Sequence, residues 1–94
     1  MEKTYCVYIM ASDSGTLYIG VTSNLEQRIR QHREGVFEGF SKKYGCTKLV
    51  YFETGGEALA AFEREKQLKN WRREKKEALI RKENPGWRDL AEDW

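Results

Sequence analysis

The first apolar stretch of the chain, Tyr5-Cys6-Val7-Tyr8-Ile9-Met10-Ala11, reads as a β-strand. Ser12-Asp13-Ser14-Gly15 reads as a turn and Thr16-Leu17-Tyr18-Ile19-Gly20-Val21 as a returning strand, so the pair predicts a β-hairpin. Successive strand side chains point to opposite faces, which groups Val7 and Ile9 with Tyr5, and Leu17, Ile19 and Val21 with one another. Burying both aliphatic sets on one side sends Tyr8 and Tyr18 together to the other. The register expected on that basis sets Tyr8 directly across from Tyr18. It requires a loop of odd length, three or five residues, with Gly15 supplying the positive-φ position of a bulged turn.

Ser23 followed three residues later by Glu26 predicts a capping box that opens a helix, and Gly35 closes it. Within that helix Leu25, Ile29 and His32 recur at i, i+4 and i+7, and Arg28 stands four before His32 on an adjoining face, so the two can act on one point. A Gly- and Lys-rich loop from Val36 to Cys46 leads to a third strand at 48–53, broken by Gly55-Gly56. A second helix is expected over about 57–70, with Ala58, Ala61, Phe62, Leu68 and Trp71 as its apolar positions. Glu65, at i+4 from Ala61 and three before Leu68, places a carboxylate on the buried side. A third helix, about 73–82, carries Ala78, Leu79 and Ile80 and stops before Asn84-Pro85-Gly86. The tail from Trp87 to Trp94 has enough apolar material to dock on the domain. The order ββαβαα predicts an α+β fold, a small three-stranded antiparallel sheet with flanking helices, drawn against one face.

With 94 residues the chain has room for one small domain, expected to span 1–94. The seven-residue run Tyr5–Ala11 is its longest apolar stretch, far short of the roughly 20 residues that cross a bilayer. The N-terminus lacks the pattern of a secretory signal, so no membrane and a cytoplasmic location are expected. Two cysteines forty positions apart, Cys6 and Cys46, fit neither a metal finger nor a disulfide framework and read as thiols. A single histidine excludes a multi-His zinc centre, so any catalysis leans on His32, carboxylates or tyrosine.

Cys6-Val7-Tyr8 and Tyr18-Ile19-Gly20, then Asn24-Leu25 with Arg28 and His32, then Glu65 on a later helix, resemble the GIY-YIG endonuclease superfamily. The likeness is greatest to the small stand-alone bacterial branch, and it extends to the nuclease domain of the excinuclease C subunit. Leu49-Val50-Tyr51-Phe52-Glu53, Glu65-Lys66-Gln67-Leu68-Lys69-Asn70-Trp71 and Asn84-Pro85-Gly86-Trp87-Arg88-Asp89-Leu90 carry it through nearly the whole chain. The family's Gly-Ile is Cys6-Val7 here. The resemblance implies hydrolysis of a nucleic-acid phosphodiester with one divalent metal, Mg²⁺ or Mn²⁺. One motif tyrosine, Tyr8 or Tyr18, would act as general base toward water, while the other positions water or phosphate. By position, Arg28 would hold the scissile phosphate, His32 would join the tyrosine and water network, and Glu65 would bind the metal.

Those roles suit the chemistry. Cleavage builds negative charge on phosphate, which a guanidinium and a metal stabilise. A phenol of pKa ~10 is a poor base near neutrality unless a cation favours its phenolate. Mg²⁺ keeps most of its waters and needs only one or two protein carboxylates beside phosphates. Each residue also has an ordinary structural reading: cross-strand packing for the tyrosines, a satisfied half-buried histidine, a solvated Arg28, and a Glu65–Lys69 ion pair at i+4.

The formal charge of +2 hides an uneven distribution. Residues 28–48 hold six Lys and Arg against two Glu, and residues 64–82 hold nine against three. Lys69, Arg72, Arg73, Lys75 and Lys76, extended by Arg81 and Lys82, form a basic stripe suited to phosphates but carrying no base specificity. Lys42 and Lys43, after the first helix, could also touch a nucleic-acid backbone. The reading is a metal-dependent endonuclease on structured or damaged DNA, with RNA an open alternative and with specificity supplied by shape, a protein partner or self-association. Its rivals are a non-catalytic nucleic-acid-binding module of the same fold and a protein-interaction domain.

Overall fold

A computed structural model describes residues 3–35 and 43–94. Strand β1 (Tyr5–Ala11) is central, flanked by β2 (Leu17–Thr22) and β3 (Lys48–Gly55), both antiparallel to it. Helix α1 (Leu25–Arg33) follows the hairpin, and α2 (Ala58–Asn70) and α3 (Arg73–Glu83) follow β3. Expected order and α+β class are both observed. Among the described residues no helix is long and apolar enough to cross a membrane.

The hairpin alternation sorts the side chains into two cores, as expected from strand parity. Val7, Ile9 and Ile19, with Tyr5, Leu17 and Val21 at the margin, meet Ala61 and Leu68 of α2 and Ile80 of α3. Tyr8, Met10 and Leu49, with Tyr18 and Phe52, meet Ile29 of α1. The helices therefore cover both faces of the sheet, not one. The reason is that the Tyr8 face is as apolar as the aliphatic face, and the Leu25/Ile29/His32 stripe is the surface that covers it.

The register differs from expectation by one step of two residues. Ala11 pairs with Leu17, leaving a five-residue loop, so Tyr8 lies opposite Gly20 and Tyr18 opposite Met10. The two tyrosines share a face but stand diagonally. Gly15 adopts φ +91° in that loop, as the bulged turn requires. On the other side of β1 a bulge between Ile9 and Met10 leaves Val50 as an extra residue on β3, which lets consecutive Val50 and Tyr51 enter the same core.

Helix α1 is capped by Asn24, whose Oδ1 accepts the Gln27 N–H at 3.1 Å, and not by a Ser23–Glu26 box. Thr22 Oγ1 accepts the Asn24 N–H at 3.0 Å, and this turn sets where the helix starts. Gly35 ends it with φ +68°. In α2 Ala61 and Leu68 are buried, but Phe62 is 55% exposed, contrary to its expected core position. The sheet offers α2 a narrow strip, and Phe62 falls outside the Ala61–Leu68 line that meets it. In α3 Ile80 is buried and Leu79 packs at the edge, whereas Ala78 is exposed.

The tail docks. Asn84, buried at the end of α3, donates through Nδ2 to Val50 O at 3.0 Å and Arg88 O at 2.9 Å, and its Oδ1 accepts Arg88 N–H at 3.0 Å. Leu90 N–H donates to Leu49 O at 2.8 Å, and Asp89 Oδ1 accepts from Leu49 N–H. Cys6 and Cys46 are both buried thiols with no disulfide.

Candidate active site

His32 and Arg28 meet at the Tyr8 hydroxyl, and the Tyr18 ring lies against Tyr8 and His32. Tyr8 is fully buried, and its Oη stands 2.9 Å from His32 Nε2. Half-exposed Tyr18 turns its ring toward both, with centroids 6.3 Å from Tyr8 and 5.1 Å from His32. Arg28 acts on the same point, since its charge and hydrogen bond lower the Tyr8 pKa and its charge also lowers that of His32. The turn of helix separating Arg28 from His32 is what lets both reach one hydroxyl.

Gly20 makes this geometry possible. An added Cβ there would fall 2.5 Å from both Cζ and Oη of Tyr8, so the phenol end of the ring occupies the space a side chain would fill. A glycine inside a strand often marks such an approach. That signal was present in the sequence, but only the five-residue loop shows which ring uses it.

Burial pushes the Tyr8 hydroxyl well above its usual value, and neighbouring Tyr18 adds to this; Arg28 pulls it back, and Glu65 raises it again. The hydroxyl therefore keeps its proton in the free protein. Burial, with the Arg28 charge, lowers His32 from 6.5 to about 4, so the imidazole is neutral near pH 7.

Glu65 lies on α2, which packs on the opposite face of the sheet, and its charge is felt at Tyr8. Its carboxylate pairs with Lys69 Nζ at 3.3 Å, the i+4 partner the sequence offered. Among the described residues no group of three or more His, Cys, Asp and Glu gathers as a metal cage.

Each helix is pinned to the fold beside its site residue. Next to His32, Arg33 donates to Asp89 Oδ2 at 2.7 Å and to Ala91 O at 2.8 Å. Next to Glu65, Arg64 Nε donates to Glu53 Oε1 at 2.7 Å. The sequence carries no local signal for either long-range pair, because the partners lie 56 and 11 positions away.

The basic stripe divides. Lys69 and Lys76 line a groove of about 260 Å³ with Leu17, Tyr18 and Ile19, adjoining the tyrosines. Arg73 instead holds the hairpin tip, donating to Gly15 O at 2.6 Å, and Lys75 lies 4.4 Å over the Trp71 ring. Arg72 is exposed at the start of α3, and Lys43 lies over the exposed Tyr44 ring at 5.5 Å. Lys42 lies outside the described residues.

A family profile described as the GIY-YIG catalytic domain matches residues 4–78. A UPF0213 protein of Haloquadratum walsbyi is 34% identical over 79 residues, covering 84% of this chain and 89% of that protein. One of Syntrophus aciditrophicus is 37% identical over 86 residues, covering 90% and 97%. The solution NMR structure of a UPF0213 protein from Bacillus halodurans has the same fold, with TM-score 0.59 and 26% identity over 89% of each chain. The profile match runs through the hairpin, α1 and α2, the elements that bring side chains to the Tyr8 hydroxyl, and the chain belongs to the GIY-YIG catalytic-domain family.

Proposed function

We propose that the protein is a divalent-metal-dependent endonuclease that hydrolyses nucleic-acid phosphodiester bonds, with structured or damaged DNA as its substrate. The observation that carries this reading is the meeting of Tyr8, His32 and Arg28 at one hydroxyl, beside half-exposed Tyr18 and within the field of Glu65.

In this reading Tyr8 and His32 move the proton together. With His32 Nε2 unprotonated, the Tyr8 hydroxyl donates to it; once substrate binding admits the attacking water to this buried hydroxyl, Tyr8 Oη takes the water proton while its own passes to Nε2. The relay avoids an isolated buried phenolate, which the burial of Tyr8 disfavours. His32 is a weak base because burial and, to a smaller extent, the Arg28 charge lower its pKa; a phosphate held by Arg28 would cancel the charge part and raise its basicity. Tyr18 lines the groove and orients the phosphate or the water. Glu65 is a hard oxygen donor at the site's edge, and Mg²⁺ or Mn²⁺ fits one such carboxylate because these ions retain waters and bind substrate phosphates. The bound ion would supply Lewis-acid stabilisation of the charge on phosphate and leaving oxygen.

A second reading, a nucleic-acid-binding module without turnover, is favoured by one feature: Glu65 is already paired with Lys69. Cleavage assays on branched, nicked, single-stranded and duplex DNA and on RNA, with Mg²⁺ or Mn²⁺ against a chelator, separate the two. Cleavage is expected only with metal, with Arg28→Ala and Glu65→Ala each slowed by about 10²-fold or more. Tyr8→Phe and His32→Ala should each cost about as much as the pair together, since they act as one unit. No cleavage of any substrate, or full activity in Glu65→Ala, overturns the endonuclease reading.

A further inference from the structure

We propose that Lys69 is a shared counter-charge: it holds the Glu65 carboxylate in the free protein and moves to a nucleic-acid phosphate, beside Lys76, when a strand lies in the groove next to Tyr18. The inference rests on the reading of Glu65 as the metal-binding carboxylate and adds a regulatory step to that site.

The groove has the chemistry of a sugar-phosphate track. Leu17 and Ile19 give it an apolar floor, Tyr18 a phenol ring, and Lys69 and Lys76 two ammonium groups on the α2–α3 side. Of the five cations in the stripe, Lys69 and Lys76 line this groove, while Arg73 and Lys75 are engaged at the hairpin tip and at Trp71. Lys76 is half-buried yet makes no ion pair with any described residue. An ammonium held in that way is set to meet an anion from outside the chain. Since Tyr18 belongs to both the groove and the tyrosine cluster, the phosphodiester in the groove would be one adjoining the bond at Arg28.

Lys69 is suited to exchange partners. Its pair with Glu65 spans 3.3 Å, with the lysine side chain 54% exposed and the glutamate 20%. An exposed pair of this kind is weak, and lysine is a point charge on a flexible stem, so leaving it costs little. While Lys69 sits on Glu65 it opposes a divalent cation there, both by occupying the carboxylate and by repulsion. A phosphate that draws Lys69 into the groove removes that opposition. Divalent cation and nucleic acid should therefore bind with positive coupling, and by linkage each strengthens the other equally.

The test is Mn²⁺ binding to the full chain, read by the EPR signal of free Mn²⁺, with and without a phosphorothioate DNA oligonucleotide. Oligonucleotide binding in chelator is measured alongside as a function of salt. Lys69→Gln should tighten Mn²⁺ binding without DNA by about three- to tenfold and abolish most of the coupling. It should also lower the slope of log affinity against log salt by about one. Lys76→Gln should lower the salt slope similarly while changing Mn²⁺ affinity by less than about twofold. If the parent binds Mn²⁺ too weakly to read, the expectation becomes measurable binding in Lys69→Gln. Failure of Lys69→Gln either to tighten Mn²⁺ binding or to change the salt slope overturns the shared-lysine proposal. Glu65→Gln separates this from the underlying reading. If it retains Mn²⁺ affinity, Glu65 is not the metal ligand and both ideas fall; if it loses Mn²⁺ while Lys69→Gln behaves as the parent, only the shared lysine falls.

Discussion

Replacing Gly20 by alanine inserts a methyl group where the Tyr8 phenol lies, 2.5 Å from both Cζ and Oη and 2.9 Å from Cε1. Tyr8 has no room to retreat, being fully buried between the sheet and α1. Forcing the ring aside should cost about 1–3 kcal/mol in overpacking. Breaking its 2.9 Å contact with buried His32 should add about 1–3 kcal/mol. Gly20 is not in the positive-φ region, so alanine returns about 0.4–1 kcal/mol through the unfolded chain. Together these give a net loss of about 1–5.6 kcal/mol, centred at ~3 kcal/mol, a large share of the stability of a small domain. Thermal unfolding followed by circular dichroism should show Tm lowered by about 10–25 °C. The same substitution in a Tyr8→Leu background, where the far half of the ring is gone, should be nearly neutral. Equal losses in both backgrounds would refute the idea that Gly20 is there to admit the Tyr8 ring.

Three further outcomes follow from the packing. The His32 pKa, lowered by burial from 6.5 to about 4, means the unfolded chain takes up a proton between those values that the folded chain does not; stability should fall as pH drops through that window, by about 3 kcal/mol in full. Denaturant titrations of the parent and His32→Gln should differ in slope there and run parallel above pH 6.5. Asn84→Ala strips partners from Val50 O, Arg88 O and Arg88 N–H, and should cost about 2–3 kcal/mol in urea unfolding and raise amide exchange in the tail. Phe62→Ser, at an exposed position, should change stability by under about 0.5 kcal/mol, whereas Leu68→Ala should cost about 2–5 kcal/mol.

The sheet-facing alternation of the hairpin was readable because strand parity is local: Val7, Ile9 and Ile19 reach one core and Tyr8 the other without reference to the rest of the chain. The i, i+4 relation of Arg28 to His32, the i+4 pairing of Glu65 with Lys69, and the positive φ of Gly15 and Gly35 are local in the same sense. The cap of α1 falls on Asn24, one residue after the expected Ser23, because both are good caps and the hydroxyl of Thr22 decides between them.

Local patterning was enough for the set of elements, the faces of the hairpin strands, and the family resemblance carried by Tyr8, Tyr18, Arg28, His32 and Glu65. Which of those groups meet depends on how the elements pack. A loop of three residues would have served parity as well as one of five, and only the five-residue loop sets Tyr8 over Gly20. The placement of α1 on one face and of α2 and α3 on the other depends on two apolar surfaces of similar character, which no single segment encodes. The division of the basic stripe into Lys69 and Lys76 beside Tyr18, with Arg73 at the hairpin and Lys75 on Trp71, likewise depends on the turn between α2 and α3. Local patterns are set by backbone geometry over a few residues, whereas distance between chain segments is set by how whole surfaces close on one another.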